Sequence, residues 1–443
     1  MTGEIITTNL GRIRGFEKDG CSVYLGIPFA KPPVGEYAFK HPPPPEPWEG
    51  VLDAAHGSCN PIQGKGGFYI GNNSQDCLYL NVFVPEGVSA PMPVMVWIYG
   101  GAYSQGGAGA EEKGTRKLQY DLSRFAKETG CVVVTFNYRL NLYGFLNLHS
   151  LDSSFDQNKG LYDQIMALRF VKENIEAFGG DPGNITLFGQ SAGGACILAL
   201  MTMREAEGLF HKSIVQSACI EHFFTEEESQ KHMRAYLRYA GVRTVNELLG
   251  LDEKKICDAN AKYSAWLLRR GDIRCAFSPV IDGVTLPEAP KTAVKKSTLP
   301  MLIGNTSQEG NLFLASIPAL VLPLVARYIH LTVKKGMGSY KQRICDALTD
   351  HIYVRPQTEM LEGYYGLAWR YTYQHPFPGS GMGCFHGSEL PVLFGLNLFF
   401  GKADDAVSEK VGHEMRQIWS AFARTGTACW PQYDQEAFTQ RIG

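Results

Sequence analysis

The sequence predicts an α/β fold with a mostly parallel central sheet and helices packed on both of its faces. Three features carry that expectation. Short β-branched apolar runs lack a polar face, an amphipathic helix lies between two of them, and a glycine-flanked serine sits between a run and a helix-forming segment. Strands without a polar face are covered on both sides, as in a parallel sheet. Strand–helix–strand alternation then implies double winding.

The first two runs are residues 94–99 (VMVWIY) and 131–138 (CVVVTFNY). Shorter ones follow at 185–188, 213–216 and 301–303, and a late one spans 368–374 (AWRYTYQ). Between the second and third runs, Leu161, Ile165, Leu168, Val171, Ile175 and Phe178 recur every three or four residues. That spacing makes one apolar helical stripe. Gly179 and Gly180 end it, with Asp181-Pro182 behind them.

The 443 residues would allow about three domains by size alone. No repeat or linker interrupts the chain, however, and the cluster Pro42 to Pro45 is too short to be one, so a single domain over 1–443 is expected. An apolar fraction of 44% and a net charge of −2 exclude disorder and offer no broad field for nucleic acid or anionic lipid. The expected partner is a small molecule, with the chain a monomer or homodimer. The opening MTGEIITTNLGRIRG has no basic segment followed by an apolar run, so no signal peptide and a cytoplasmic location are expected. The most apolar window, 312–329, contains Pro318, Pro323 and Arg327, which argue against a membrane span. It is expected to be a buried or pocket-lining segment, a lipid-facing lid being the alternative. The eleven cysteines leave at least one thiol unpaired and form no C-x-x-C pair.

The chemistry centres on Gly189-Gln190-Ser191-Ala192-Gly193, of the form G-x-S-x-G. About 0.3 chance matches are expected in a chain this glycine-rich, so the motif alone is weak. Its setting between run 185–188 and the helix-forming stretch 195–203 is what a nucleophile elbow requires. There a sharp turn exposes the serine hydroxyl above the sheet, and the helix N-terminus behind it favours developing negative charge. Acyl transfer also needs backbone N–H groups aimed at the oxygen that becomes negative. One donor is the Ala192 amide; the others are expected from the turn Tyr99-Gly100-Gly101-Ala102-Tyr103. A phosphate-loop reading of 106–115 fails, because no G-K-[ST] follows at the required spacing.

The base should be a histidine and its orienting group a carboxylate, in the chain order Ser, acid, His. Among the late histidines, His330 and His413 lie in helical patterns and His351 follows a predicted helix end. His375 and His386 lie in the loop after run 368–374, and spacing alone does not choose between them. Glu309, in the turn-rich stretch after run 301–303, is the preferred acid; Asp282 sits in what reads as a plain turn. No metal site and no cofactor are expected. His413-Glu414 begins like H-E-x-x-H but lacks the second histidine.

These stretches resemble the type-B carboxylesterase and cholinesterase family, whose members have the α/β-hydrolase fold with a helical lid or pocket region. The resemblance runs over nearly the whole chain. It rests on Gly26-Ile-Pro-Phe-Ala30, Pro32-Pro-Val-Gly35, Asp76-Cys77-Leu-Tyr-Leu-Asn81 and the Trp97 to Ala102 turn. Asn137-Tyr138-Arg139, Asp163-Gln164, Phe188-Gly-Gln-Ser-Ala-Gly-Gly194, Phe422-Ala-Arg-Thr-Gly426 and Trp430-Pro431 complete it. It implies a triad of Ser191, Glu309 and His386, and oxyanion donors at Gly101, Ala102 and Ala192. The short Glu309-to-His386 segment points to the compact microbial, para-nitrobenzyl-type members. The implied activity is hydrolysis of small carboxylic esters through an acyl-enzyme. A lipase and a non-catalytic binding homologue are the alternatives; retention of all three triad positions counts against the latter.

Several positions depart from the family pattern. Gln190 stands where a glutamate is usual, and between Cys59 and Cys77 only Phe68 and Tyr69 are aromatic, where choline-ester hydrolases carry a tryptophan. Both argue for neutral over cationic esters. An N-terminal Arg/Glu ion pair of the family maps onto Ala38 and Gln75, so both partners are lost together, whereas Arg139 and Asp163 are kept and should pair. Ala102 replaces a common third glycine but keeps its N–H. Cys59 and Cys77 match the family's first disulfide pair and are expected reduced. Tyr103, Phe313 and Phe385 are expected to line an apolar pocket.

Overall fold

All six apolar runs become buried strands of one sheet. The computed structural model describes residues 2–64, 71–89, 91–109, 111–112, 117–315, 317–334, 337–398, 400–434 and 438–443. The sheet has 12 strands: β1 (Thr2–Thr7), β2 (Arg12–Lys18), β3 (Cys21–Pro28), β4 (Val51–Asp53), β5 (Tyr79–Pro85), β6 (Met92–Ile98), β7 (Val132–Phe136), β8 (Gly180–Gln190), β9 (Lys212–Gln216), β10 (Met301–Thr306), β11 (Ala368–Tyr373) and β12 (Gln440–Ile442). Their spatial order is β1-β2-β3-β5-β7-β6-β8-β9-β10-β11-β12, with β4 beside β2. From β7 onward every neighbour is parallel, and the β1-β2-β3-β5-β7 side is antiparallel.

The apolar stripe forms helix α1 (Lys159–Asn174), continued by a 3₁₀ turn at Ile175–Phe178 and closed by Gly179 at φ 78°. All six stripe residues are buried. The following strand starts earlier than expected, at Gly180, with an irregularity in its pairing before Ile185. Helix α2 (Ala192–Leu200) starts directly behind Ser191, three residues before the sequence suggests, because the elbow passes straight into its first turn. On one face of the sheet, Trp97 packs against Phe188 and Phe394, each ring centre 4.9 Å away, and Phe125 stacks on Phe188 at 5.5 Å. Helix α3 (Ala406–Thr425) covers that region with Trp419 fully buried.

Arg139 and Asp163 pair as expected, joining the loop after β7 to α1 at 2.6 Å with both side chains almost wholly buried. The guanidinium also donates to the carbonyls of Ala38 (3.2 Å) and Lys40 (2.8 Å), which ties in the N-terminal segment. Cys59 and Cys77 are both free thiols. Among the described residues, no helix is long and apolar enough to cross a membrane.

Candidate active site

Strand β8 delivers Ser191 at its carboxyl end with φ 57° and ψ −124°, a conformation costing on the order of 1–3 kcal/mol. The flanking glycines are required by one close approach. A Cβ on Gly193 would stand 2.0 Å from the Ile98 carbonyl oxygen, and one on Gly189 would stand 2.7 Å from the same atom. The strained residue is pinned from both sides: its N–H donates to the Gln216 carbonyl at 2.9 Å, and its carbonyl accepts from the Ala195 N–H at 3.0 Å.

Strand β10 leads to Glu309, which is fully buried. Its Oε1 accepts from the Thr306 N–H at 2.7 Å and the Ser217 hydroxyl at 2.6 Å. Its Oε2 lies 2.5 Å from His386 Nδ1. Burial pushes the His386 imidazole down, but the adjacent Glu309 carboxylate outweighs it and holds the ring above the usual histidine range. Three residues on, the buried Glu389 accepts a 3.4 Å hydrogen bond from the Gln216 side-chain amide. Burial, then repulsion from Glu309, pushes its pKa up to about 7.

His386 Nε2 faces the Gln190 side-chain amide, whose Nε2 is 3.2 Å away. Ser191 Oγ makes no hydrogen bond with His386 among the described residues. Next to Ser191 lies the turn after β6, with Gly101 at φ 113° and Ala102 at φ 54°. The N–H groups of Gly101, Ala102 and Ala192 have no backbone or side-chain acceptor among the described residues.

Ser191, His386 and this turn border a cavity of about 560 Å³, walled largely by apolar side chains such as Leu312, Phe313, Ile317, Val325, Tyr353 and Leu390. The arrangement has the parts of a covalent acyl-transfer site: a serine on a strained elbow, an imidazole anchored by a carboxylate, and uncommitted amides.

The sequence profile of the carboxylesterase family matches residues 2–323. The chain belongs to the carboxylesterase family. It is 36% identical to the para-nitrobenzyl esterase of Bacillus subtilis (strain 168), with 98% of this chain and 94% of that one covered. It is 29% identical to the phenmedipham hydrolase of Pseudarthrobacter oxydans over 98% and 92% of the two chains. Among solved structures, it superposes on a thermophilic PNB esterase with a TM-score of 0.87 at 33% identity, covering 100% of this chain and 96% of that one. A carboxylesterase of Geobacillus stearothermophilus gives 0.85 at 31% identity, covering 99% and 96%. Like the family it joins, this chain is a carboxylic ester hydrolase with the α/β-hydrolase fold.

The carboxylesterase frame shows which sequence candidates converge. Ser191, Glu309 and His386 meet at the carboxyl ends of three parallel strands, where ligands bind in open α/β sheets. His375 does not: its Nε2 lies 2.8 Å from the Ser408 hydroxyl, on α3. Asp282 closes a turn by accepting from the Val284 and Leu286 N–H groups, each at 2.9 Å. His413 lies on α3, His330 just beyond helix Leu322–Tyr328, and His351 within the wide turn Asp350–Val354.

Two of the aromatics expected in the pocket lie outside it. Tyr103 is fully buried against Phe145, and Phe385 against Phe377 and Phe400, so neither borders the cavity; Phe313 does, joined by Tyr120, Tyr353 and Phe400. The 312–329 window is pocket-lining in part, and part of it is exposed. Phe313, Ile317 and Val325 line the cavity, while Leu320 is 91% and Leu324 69% exposed. Phe68 and Tyr69 lie outside the described residues. The sequence reading missed Glu389, whose signal was a carboxylate three residues after His386, and a cluster of Cys219, His222 and Cys275 on the cavity wall.

Proposed function

We propose that this carboxylesterase acts on small neutral esters with Ser191 as nucleophile, His386 as base and Glu309 as orienting acid. The single observation that carries the reading is the Ser191 elbow at the cavity floor beside an imidazole anchored 2.5 Å from a buried carboxylate. As the Ser191 hydroxyl attacks the ester carbonyl, His386 Nε2 takes its proton. The Gln190 amide must give up that nitrogen first, a rearrangement consistent with catalytic contacts that tighten only when substrate binds. The new oxyanion is held by the N–H groups of Gly101, Ala102 and Ala192. His386 then protonates the leaving alcohol, and water, deprotonated by the same nitrogen, cleaves the acyl-enzyme. Glu309 fixes the ring tautomer and stabilises the imidazolium throughout.

Neutral substrates follow from the cavity's apolar wall and from Gln190, which contributes no anion to attract a cationic alcohol. The free thiols, including Cys59 and Cys77, fit a reducing, cytoplasmic compartment. One sheet taking strands from Thr2 to Ile442 supports a single working domain.

The test is turnover of a short-chain chromogenic ester, with stoichiometric labelling of Ser191 by an organophosphate. Ser191→Ala should lower kcat by about 10⁴-fold or more. A folded but inert wild type, or an active Ser191→Ala, defeats the reading. The exposed Leu320 and Leu324 favour one second reading, action at an oil–water interface. A rate jump on emulsified over dissolved ester would establish it.

A further inference from the structure

Cys219, His222 and Cys275 occupy one stretch of the cavity wall, and their ligand atoms all lie within 4.8 Å of one another. Two separate loops bring them together. Cys219 and His222 sit on the turn after β9, where the His222 N–H donates to the Cys219 carbonyl at 3.1 Å. Cys275 arrives 53 residues later, from the loop after helix Glu253–Leu268. Its N–H donates to His222 Nδ1 at 3.2 Å, and its Sγ lies 3.3 Å from the same nitrogen. Arg274 clamps that loop in place. Its guanidinium donates to the Phe223 carbonyl at 3.3 Å and to Glu228 at 2.9 Å, and lies 4.7 Å from the Phe224 ring centre.

None of the three side chains has a part in ester hydrolysis as derived above. A lone buried cysteine behaves as a small apolar residue. Two cysteines and an imidazole converging from different loops are instead the donor set that selects a thiophilic ion over Mg²⁺ or Ca²⁺.

We infer that Cys219, His222 and Cys275 form a three-ligand site for Zn²⁺ or a similarly thiophilic ion, with the fourth coordination position open to the catalytic cavity. Tetrahedral zinc, with Zn–S near 2.3 Å and Zn–N near 2.0–2.1 Å, needs ligand atoms about 3.5–3.8 Å apart. The His222–Cys275 edge is already close to that, and the remaining edges close by about 1 Å at most, within reach of side-chain rotation. The His222 Nδ1 lone pair, now accepting the Cys275 N–H, is the one the ion would take. Two thiolates and a neutral imidazole cancel the charge of Zn²⁺, so the ion enters a poorly hydrated wall without leaving net charge there, and two thiol protons leave to solvent as it binds.

The site is close to the chemistry. Cys219 Sγ lies 3.9 Å from the Tyr353 hydroxyl, and the Tyr353 and His386 ring centres are 5.2 Å apart. An ion there, with water or an anion on its open position, fills space that substrate needs and inhibits hydrolysis. That effect rests on the triad reading; ion binding does not.

The experiment titrates reduced, chelator-stripped enzyme with Cd²⁺, following the sulfur-to-metal charge-transfer absorption, and then displaces it with Zn²⁺. One Cd²⁺ per chain is expected, displaced by Zn²⁺. Cys275→Ser and, independently, His222→Ala should each weaken it by at least about tenfold. Thermal melting verifies that each variant is folded, and the second variant decides if the first is not. Cys429→Ser, altering the exposed thiol, should leave the band intact. No band in the reduced wild type, or a band of equal strength and affinity in the folded variants, overturns the site. Zn²⁺ should also lower kcat/KM at least about tenfold, reversibly on chelation. Intact binding without inhibition overturns the placement of the open position in the catalytic cavity.

Discussion

His386 Nε2 and the Gln190 side-chain nitrogen stand 3.2 Å apart. When the ring is neutral with its Nδ1–H turned to Glu309, Nε2 carries the lone pair and accepts from the Gln190 amide N–H. The residue before the nucleophile therefore acts directly on the base. A carboxylate there would favour the imidazolium. Gln190→Glu should raise the His386 pKa by about one unit and move the acid limb of kcat/KM to higher pH by the same amount. In the wild type that limb should already lie above the usual histidine value, because Glu309 holds His386 up and base function is lost as pH falls through that raised value. A limb that does not move in the variant separates Gln190 from the base.

Ser217 is a positioning residue. Its hydroxyl donates to Glu309 Oε1 at 2.6 Å from a backbone held at φ 46°. Ser217→Ala leaves that oxygen, among the described residues, with the Thr306 N–H alone. The expected result is a kcat lower by about tenfold with KM nearly unchanged. A rise in KM alone would mean that Ser217 shapes the pocket rather than the triad.

Why the elbow was legible and other parts were not follows from how each is encoded. Gly189 and Gly193 answer to one atom, the Ile98 carbonyl oxygen, so a local motif records the constraint. The six inner parallel strands, β6 to β11, each carry a short buried apolar run. On the antiparallel side, β2 mixes exposed and buried residues over seven positions rich in charge, with no run to find. Glu309 and His386 could be ranked by loop position, but spacing left His375 in contention until the fold turned it toward Ser408. Cys219, His222 and Cys275 meet only through the docking of two loops, which no local spacing encodes.

Glu389 should make stability fall with rising pH. Its folded pKa, about 7, is above the unfolded value near 4.5, so the folded state holds the proton more tightly. The contribution is complete below the unfolded value and is lost as pH rises toward and through about 7. Over that span it is on the order of 3 kcal/mol. Chemical denaturation at pH 5 and pH 8 should show this loss in the wild type and a smaller one in Glu389→Gln. Equal losses in both proteins would assign the dependence to other groups.

The Arg139–Asp163 pair is worth most when half of it is removed. Both side chains are almost wholly buried, and Arg139 also serves the carbonyls of Ala38 and Lys40. Asp163→Asn leaves a buried guanidinium without its anion, at a cost of about 3–5 kcal/mol. Urea unfolding measures it. A loss below about 1 kcal/mol would mean that the backbone carbonyls alone satisfy the cation.

The turn beside Ser191 should admit bulky alcohols. A Cβ on Gly100 would stand 2.9 Å from the Ser191 Cβ and 2.6 Å from the Gln190 carbonyl oxygen, so backbone without a side chain is what fits there. Gly101 and Ala102 follow at φ 113° and 54°, keeping their N–H groups uncommitted while adding at most one methyl to the wall. A tertiary alcohol crowds the carbonyl on the leaving-group side, where a bulkier turn would exclude it, and the cavity of about 560 Å³ has volume for it. An acetate of a tertiary alcohol should therefore turn over, slower than its primary analogue by about 10²–10³ because the crowded carbonyl costs a few kcal/mol in the transition state. Paired assays of the two esters decide it. Complete inertness toward the tertiary ester, with the primary ester hydrolysed, would show that the space beside Gly100 and Gly101 is not where the alcohol lies.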